Sequence, residues 1–580
     1  MDGSLYRRVT KVLFAVIVLA ATFTPKAHCQ CSFPPDSVGT PMSYAFEPIV
    51  SSGGLLLRVT LEFQGGHTGA AELYLPSDWA GQTHLDGQPH NIRAISSDAA
   101  ILDTDRPDVK RVRFPADKPV KISFDIVKDW EGVFEHPKEF RGVLEPTFFE
   151  FTTHNGLVHP ELSPTAVVSV HFDWQKLPQE WTLETSFGTA DRCQSFTGLW
   201  NQASNALFAG GDFRVHRAKV RGQPLVVAIH GKWSFTDEEA VGRIQRILAE
   251  EREFWHDDDF PYYLVTLVPF DVQSGSSDGS AFTNAFWLFL PSGERFSYNA
   301  NYLLAHEGFH AWNPLKMGPE RKPVASEKWF SEGFTVYYGD VLLLRSGLLS
   351  LPDYIEKINR RIRDYESSPV KNLSNNELAA RYDENTVNEL PHVRGPIIAL
   401  WLDAAIRARS NNSSSLDDVM RALMRESSAR PASELTSQRV LGTATRYLDR
   451  RTRKMLSSFL EVGLTIPLPD LPKNRCVHLL REQVSLFDLG FDPDTLRSKN
   501  MISGVREDSE AFKAGIRNGQ EVLGMSIHWG DVSQPVKLTV RSIRGQETIA
   551  YFPKGRAVSI GQYHLDAEAR GSTPEQCTFP

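Results

Sequence analysis

The chain has 580 residues, a formal net charge of -8 and an isoelectric point of about 6.1. Hydrophobic residues make up 41% of it and charged residues 23%, which is ordinary for a globular protein of roughly three or four domains. The net negative charge, together with the absence of a long basic run, argues against a nucleic-acid partner.

The N-terminus has the pattern of a signal peptide. Basic residues (Arg7, Arg8) precede an apolar stretch over 12–23, which is too short to span a bilayer. Small residues at Ala27-His28-Cys29 then form a cleavage site, so we predict a signal peptide over 1–29 and export to the periplasm or secretion. An uncleaved anchor is the alternative. No later stretch predicts a stable membrane span.

Removal of this segment leaves four cysteines. An even number of cysteines in an exported chain predicts two disulfides, and their connectivity stays open among three arrangements. Unpaired thiols are the alternative. The cysteines are Cys31, Cys193, Cys476 and Cys577.

Residues 30–175 are predicted to form an N-terminal β-sandwich domain. The segments 55–63, 71–75 and 120–126 alternate apolar and polar residues and are separated by turn residues. Such alternation is typical of antiparallel sheets with one buried face.

The pattern then changes to strands mixed with helices. Residues 225–229, 262–268 and 285–290 are solidly apolar and predict buried strands. A helix is predicted over 238–255, with Thr236 as its N-cap.

The most informative motif is His306-Glu307-Gly308-Phe309-His310. We predict a helix over 298–312 that carries it. Two histidines four residues apart share one face of a helix, so both imidazoles can reach one metal ion. A catalytic zinc site needs a third protein ligand and one open position. Glu307, between the histidines, can activate water without binding the metal.

A second predicted helix, 327–345, supplies the candidate third ligand, Glu332. A carboxylate on such a helix normally needs compensation, and a zinc ion provides it. Tyr337 and Tyr338 are expected to be core aromatics, and Asp340 is expected to be an exposed helix residue.

Around these residues the chain resembles the glycyl aminopeptidase family of zinc metallopeptidases, within the thermolysin-like group. The matching segments are 306–313, 329–338 and Arg394-Gly395. The resemblance implies a thermolysin-like α+β zinc peptidase domain, which we place at 176–470. It also implies the same four site residues that the motif spacing predicts. His306, His310 and Glu332 would be the zinc ligands, and Glu307 would be the general base.

The chain departs from the family at two positions. The family has a tyrosine where this sequence has His392, and we predict that His392 donates a hydrogen bond to the developing oxyanion instead. The family also has a glutamate in a glycine-rich edge segment that can hold a substrate amino terminus, but residues 279–284 contain none. Aminopeptidase and endopeptidase activity therefore both stay open.

Residues 476–580 are predicted to form a PDZ-like domain. The segments 488–491 and 505–519 resemble such domains, which capture a peptide C-terminus by backbone N–H groups and strand addition. The alternative is a β module that only packs against the catalytic domain.

The predicted fold class is thus α+β multidomain, and the predicted function is an exported peptidase. It hydrolyses peptide substrates with a zinc-activated water. The alternative is a catalytically weak or inactive scaffold protein that binds peptides through the PDZ-like module.

Overall fold

A computed structural model describes residues 31, 39–51, 54–80, 82–260, 262–273, 275–430, 433–469, 476–542 and 545–566. The predicted signal peptide, 1–29, lies outside the described residues. The helices and strands of the described residues belong to the compact unit Asp36–Pro580. Several sheets and a helical region follow one another along the chain, which confirms the predicted mixed α+β class.

The first part of this unit consists mainly of strands, with two single-turn helices and 3-10 turns at Leu85–Gly87 and Lys138–Arg141. Its elements are β1 Thr40–Ser51, β2 Gly54–Gln64, β3 Ala70–Tyr74, β4 Pro89–Ala94, β5 Ala100–Asp103, β6 Val109–Arg113, β7 Pro119–Val127, β8 Val143–Glu145, β9 Phe148–Thr152, α1 Thr153–Gly156, β10 His159–Pro160, β11 Val167–Asp173, β12 Thr182–Thr185, β13 Gly188–Thr189, β14 Cys193–Leu199, α2 Trp200–Ala203 and β15 Leu207–Gly211. They form three sheets, ordered β14-β11-β1-β2-β7-β4, β10-β3-β6-β5 and β13-β12-β15-β9-β8.

One apolar core joins these three sheets. Along β2 the side chains of Leu57, Val59 and Leu61 are fully buried, whereas those between them are partly exposed. Because successive side chains of a strand point to opposite faces, one face of β2 enters the core. Leu73 of β3 and Phe151 of β9, from the other two sheets, belong to the same cluster.

The sheets of this part continue beyond residue 175, the boundary that the sequence analysis expects. Strand β14 pairs with β11, with Gly198 opposite Val168. Strand β15 pairs with β9, with Phe208 opposite Phe151. The chain therefore returns twice to the earlier sheets, through contacts distant in sequence that local patterns do not reveal.

The second part contains one sheet and most of the helices. Its elements are β16 Arg214–Val220, β17 Gln223–Ile229, α3 Asp237–Trp255, β18 Tyr263–Phe270, β19 Asp278–Phe282, β20 Ala285–Pro291, α4 Tyr298–His310, a π-helical turn Ala311–Lys316, a 3-10 turn Val324–Ser326, α5 Lys328–Ser331, α6 Gly333–Arg345, α7 Leu351–Ser367, α8 Asn375–Ala380, α9 Asn385–Asn388, α10 Leu390–Ser410, α11 Leu416–Ala429, α12 Ser437–Ala444, a 3-10 turn Thr445–Tyr447 and α13 Arg450–Glu461. The sheet order is β16-β17-β18-β20-β19.

In this sheet the predicted apolar strands are central and parallel. Strand β18 lies between β17 and β20, and the edge strands β16 and β19 are antiparallel to their neighbours. Solidly apolar strands are expected where a sheet is covered on both faces. The predicted helix cap is also confirmed, because the Thr236 hydroxyl accepts the N–H of Glu239 at 3.2 Å.

The two helices predicted to carry the metal motif are present with altered ends. Helix α4 ends at His310 and continues into the π-helical turn, where Asn313, which precedes Pro314, leaves the helical region with φ -111° and ψ 97°. The second predicted helix is divided into α5 and α6 at Glu332. Hydrogen bonds bridge the division, since the Glu332 N–H donates to the Lys328 carbonyl at 3.0 Å.

Helices α6 and α10 touch backbone to backbone. A Cβ atom added at Gly333 would lie 2.4 Å from the Cα of Gly395, and one added at Gly395 would lie 2.4 Å from the Cα of Gly333. Only glycine permits so close an approach. This contact fixes the start of α6, and with it the residue immediately before, Glu332.

The C-terminal part has its own small core. Its elements are β21 Val477–Phe487, α14 Pro493–Lys499, α15 Glu510–Ala514, β22 Glu521–Ser526, β23 Val536–Ser542, β24 Gly545–Tyr551 and β25 Lys554–Leu565. Strands β22, β23 and β24 form one sheet, and β21 pairs with β25. Leu489, Ile516 and Leu538 belong to a separate apolar cluster. The PDZ-like assignment stays a prediction.

The paired strands β21 and β25 pack on helix α7. The Asn359 side chain donates to the Tyr563 carbonyl at 2.8 Å and accepts the Tyr563 N–H at 2.7 Å. Val477 and Tyr563 belong to the same apolar cluster as α7 residues Tyr354 and Ile355. The C-terminal part is thus attached through both apolar packing and paired hydrogen bonds.

Cys31, Cys193 and Cys476 are each disulfide-bonded, and Cys577 lies outside the described residues. Within the described ranges, none of the helices has the length and apolarity that crossing a bilayer requires.

The expectation that Asp340 is exposed is wrong. Asp340 is only 2% exposed. Its carboxylate lies 2.6 Å from the Arg361 guanidinium and accepts a hydrogen bond from the Tyr298 hydroxyl at 2.6 Å. Asp340 lies on α6 and Arg361 on α7, so the pair joins two helices. A polar residue on a helix gives no sign of such a partner in the sequence.

We predict that Arg361→Ala destabilises the protein by about 3–5 kcal/mol, because it leaves the Asp340 carboxylate buried without its ion partner. The matched control is Arg381→Ala. It removes a pair with Glu384 in which both side chains are about half exposed, and should cost much less, because solvent screens an exposed ion pair. Urea unfolding of both variants measures the difference, and equal losses would contradict the prediction.

Candidate metal centre

Helix α4 presents His306 and His310 side by side. Their residues are 8% and 9% exposed, and their Nε2 atoms lie 3.1 Å apart. Residues four apart lie one turn apart on the same helix face, so the spacing in the sequence becomes proximity in the fold. Both Nε2 atoms face the same small space.

Glu332 points into that space from the junction of α5 and α6. Its Oε2 atom lies 3.2 Å from His310 Nε2 and 3.6 Å from His306 Nε2. The three ligand atoms converge as in a site that could hold a metal ion. The Glu332 side chain thus faces the two histidines. If it pointed away, the predicted metal site would lack its third ligand.

Hydrogen bonds on the far side orient His310. Its Nδ1 donates to the Asn313 carbonyl at 2.8 Å, which directs Nε2 toward the centre. The Asn313 amide in turn donates to the Phe330 and Ser331 carbonyls, both at 3.3 Å, and to the Thr335 hydroxyl at 3.2 Å. Asn313 thereby ties the end of α4 to the segment that carries Glu332.

Lys328 holds the other oxygen of Glu332. Its ammonium donates to Glu332 Oε1 at 2.9 Å and lies 3.3 Å from Glu320. Burial alone would raise the pKa of Glu332, but the charges of Lys328 and His310 hold that pKa well below its ordinary value. Glu332 is therefore an anion in this buried position.

Glu307 lies on the adjoining side of α4, against the edge strand β19. A Cβ atom at Gly279 would lie 2.8 Å from Glu307 Cγ, so this wall of the site has no room for a side chain. Burial, with the negative charge of Glu332 acting in the same direction, raises the pKa of Glu307 to about 7. A hydrogen bond from the Ala281 backbone holds the carboxyl in place. A carboxyl group with a pKa near neutrality is suited to both accept and return a proton.

His392 also reaches the centre, from the first turn of α10. Its Nε2 lies 3.5 Å from Glu332 Oε2, and its side chain is 40% exposed. Two residues on, the buried Arg394 donates to Asn375 Oδ1 at 2.7 Å and to the Leu373 carbonyl, which anchors this end of the helix. The structure thus brings all five predicted residues to one place.

Sequence reasoning missed the residues that support the site. Lys328 stands four residues before Glu332 on the same helical segment, a spacing that indicates an ion pair. Asn313 precedes Pro314, and the proline indicates a break in the helix. The sequence gives no sign of the hydrogen bond between the Asn313 carbonyl and His310. Glu320 has no local signal, because only the tertiary fold brings it to the site, whereas Gly279 belongs to the segment 279–284 that the family resemblance associates with the site.

Residues 299–392 match the family model of the M61 glycyl aminopeptidase. No curated protein matches the sequence. An aminopeptidase N family protein from Idiomarina loihiensis aligns over 91% of this chain and 99% of its own, at 17% identity and a TM-score of 0.69.

Two structures from Deinococcus radiodurans align less well. An M1 zinc metallopeptidase covers 74% of this chain and 95% of its own, at 14% identity and a TM-score of 0.48. A mutant M1 zinc metallopeptidase from the same organism, bound to a Tyr-Ser-Ala substrate, covers 75% and 96%, at 13% identity and a TM-score of 0.48. The chain thus has the fold of the Idiomarina aminopeptidase N family protein. The matched family segment contains all five predicted site residues, from His306 to His392.

Proposed function

We propose that the protein is a zinc-dependent peptidase. The observation that carries the proposal is the convergence of His306, His310 and Glu332 on one point, with Glu307 beside them. The family match over 299–392 and the fold of an aminopeptidase N family protein support it.

The three side chains fit a zinc ion. Two imidazole nitrogens and one carboxylate oxygen are a ligand set that zinc takes in catalytic sites, where a fourth position stays open. The hydrogen bond from His310 Nδ1 to the Asn313 carbonyl is of the kind that orients metal-binding histidines. Zinc, when bound, supplies Lewis acidity to the reacting carbonyl and to water.

The chain's own residues then move the proton and stabilise charge. Glu307 accepts the proton of the attacking water and passes it to the nitrogen of the scissile bond as that bond breaks. The imidazole of His392 donates a hydrogen bond to the oxygen that becomes negative when the carbonyl is attacked. Lys328 keeps Glu332 ionised throughout.

The proposal also covers the export of the protein and the role of its C-terminal part. We infer export through the segment 1–29, and a PDZ-like module at 476–580 that binds a peptide C-terminus. If the centre is inactive, the remaining function is peptide binding by that module, which has its own core.

The experiment that tests the function is digestion of a mixed peptide library by the zinc-loaded protein, with a chelated sample as control. We expect cleavage that is lost on chelation and restored by zinc. Free and N-acetylated versions of one peptide, compared by mass spectrometry, decide between cleavage from the amino end and internal cleavage. A zinc-loaded protein that cleaves no peptide would contradict the proposal.

We predict that Glu307→Gln keeps its zinc and loses about 10²–10⁴-fold in kcat, because it removes proton transfer and leaves the ligands intact. Metal analysis and steady-state kinetics on the same preparation check both parts. An unchanged rate would exclude Glu307 as the base.

We predict that His392→Phe lowers kcat by about 10²–10³-fold and changes KM much less, because the lost hydrogen bond forms only as negative charge develops. His392→Tyr is the matched control, since it restores a donor at the same position and should recover part of the rate. A rise in KM alone would instead make His392 a substrate contact.

A further inference from the structure

A second group of metal-ligand side chains lies outside the centre described above. It consists of His136, Glu139 and Asp278, whose ligand atoms all lie within 4.8 Å of one another. His136 Nδ1 is 2.7 Å from Glu139 Oε1 and 3.3 Å from Asp278 Oδ2. Glu139 lies in the 3-10 turn Lys138–Arg141, and His136 lies two residues before that turn. Asp278 is the first residue of β19, so two distant parts of the chain build the group.

The His136 imidazole is the one basic side chain that pairs with the two carboxylates among the described residues. Glu139 is completely buried, and its Oε2 atom has no hydrogen-bond partner. In the described part of the chain, neither Glu139 nor Asp278 forms an ion pair with a lysine or arginine; the ammonium of the nearby Lys138 donates to the Val133 carbonyl instead. A buried carboxylate oxygen without a partner is costly.

Glu139 and Asp278 also lie close to each other, since one carboxylate oxygen of each is within 4.8 Å of the other. Two carboxyl groups in one partly buried site repel each other when both are ionised, and a cation between them removes that repulsion.

The ligand chemistry and spacing suit a divalent metal. Zinc binds histidine nitrogen and carboxylate oxygen at about 2.0–2.2 Å, so neighbouring ligand atoms around it lie about 3–3.5 Å apart. The 3.3 Å between His136 Nδ1 and Asp278 Oδ2 lies in that range, whereas the 2.7 Å to Glu139 Oε1 is a hydrogen-bond distance, so these two groups would move slightly apart around an ion. We propose that His136, Glu139 and Asp278 bind a second divalent metal ion, with Zn²⁺ as the ion that this nitrogen and oxygen set suits.

Such an ion would have a structural role beside the part of β19 that packs against Glu307. It would join the turn Lys138–Arg141 to the first residue of β19. The next residue of β19, Gly279, packs against Glu307, and Ala281 hydrogen-bonds its carboxyl. Binding replaces the proton on His136 Nδ1, which leaves to solvent.

The test is the zinc stoichiometry of metal-stripped, full-length protein and its variants, measured by titration against a chromophoric chelator. The wild type should bind two equivalents. Asp278→Asn should bind one, His306→Asn should bind one, and the double variant none. Glu135→Gln removes an exposed carboxylate of the same loop and should keep two.

Thermal unfolding gives an independent readout. Zinc should raise the Tm of His306→Asn, which keeps only the second group, and should leave the Tm of the double variant unchanged. Glu139→Gln and His136→Asn repeat the test from the other ligands, so a folding defect in one variant does not decide the result.

The outcomes separate this proposal from the proposed function. One equivalent in the wild type that is lost in His306→Asn and kept in Asp278→Asn overturns the second site and leaves the peptidase centre standing. One equivalent that is lost in Asp278→Asn and kept in His306→Asn supports the second site and removes the first.

Discussion

The metal centre depends on the contact between two glycines. Gly333 and Gly395 let α6 and α10 touch along their backbones, and this contact holds Glu332 opposite the histidines of α4. A Cβ atom at either position would lie 2.4 Å from the facing Cα, so the two helices would have to move apart. The chemistry of the centre is therefore set by a packing constraint outside it.

A second layer of polar contacts converts this packing into a fixed arrangement of ligand atoms. Asn313 connects the end of α4 to the Glu332 segment, and Lys328 fixes one oxygen of Glu332. The centre thus combines a histidine pair determined by helix periodicity with a carboxylate determined by tertiary contacts. The same distinction explains what a sequence can predict.

Local patterns predicted the parts of the structure that periodicity controls. The spacing of His306 and His310 predicted their shared face, and alternation predicted β2. Glu332 was predicted as the third ligand from its motif and the family resemblance, but other features that depend on distant contacts have no local signal. The burial of Asp340 requires Arg361 from another helix, and the return of β14 and β15 to the first sheets requires partners many residues earlier.

The two oxygens of Glu332 have different partners, and this affects how many protein atoms a bound metal ion would contact. Lys328 occupies Oε1 at 2.9 Å, so Oε2 alone faces the histidines. The carboxylate would thereby offer one free oxygen to a metal ion, which would contact three protein atoms rather than four. In the proposed zinc site, the lysine would therefore leave one position open to exchangeable ligands such as water.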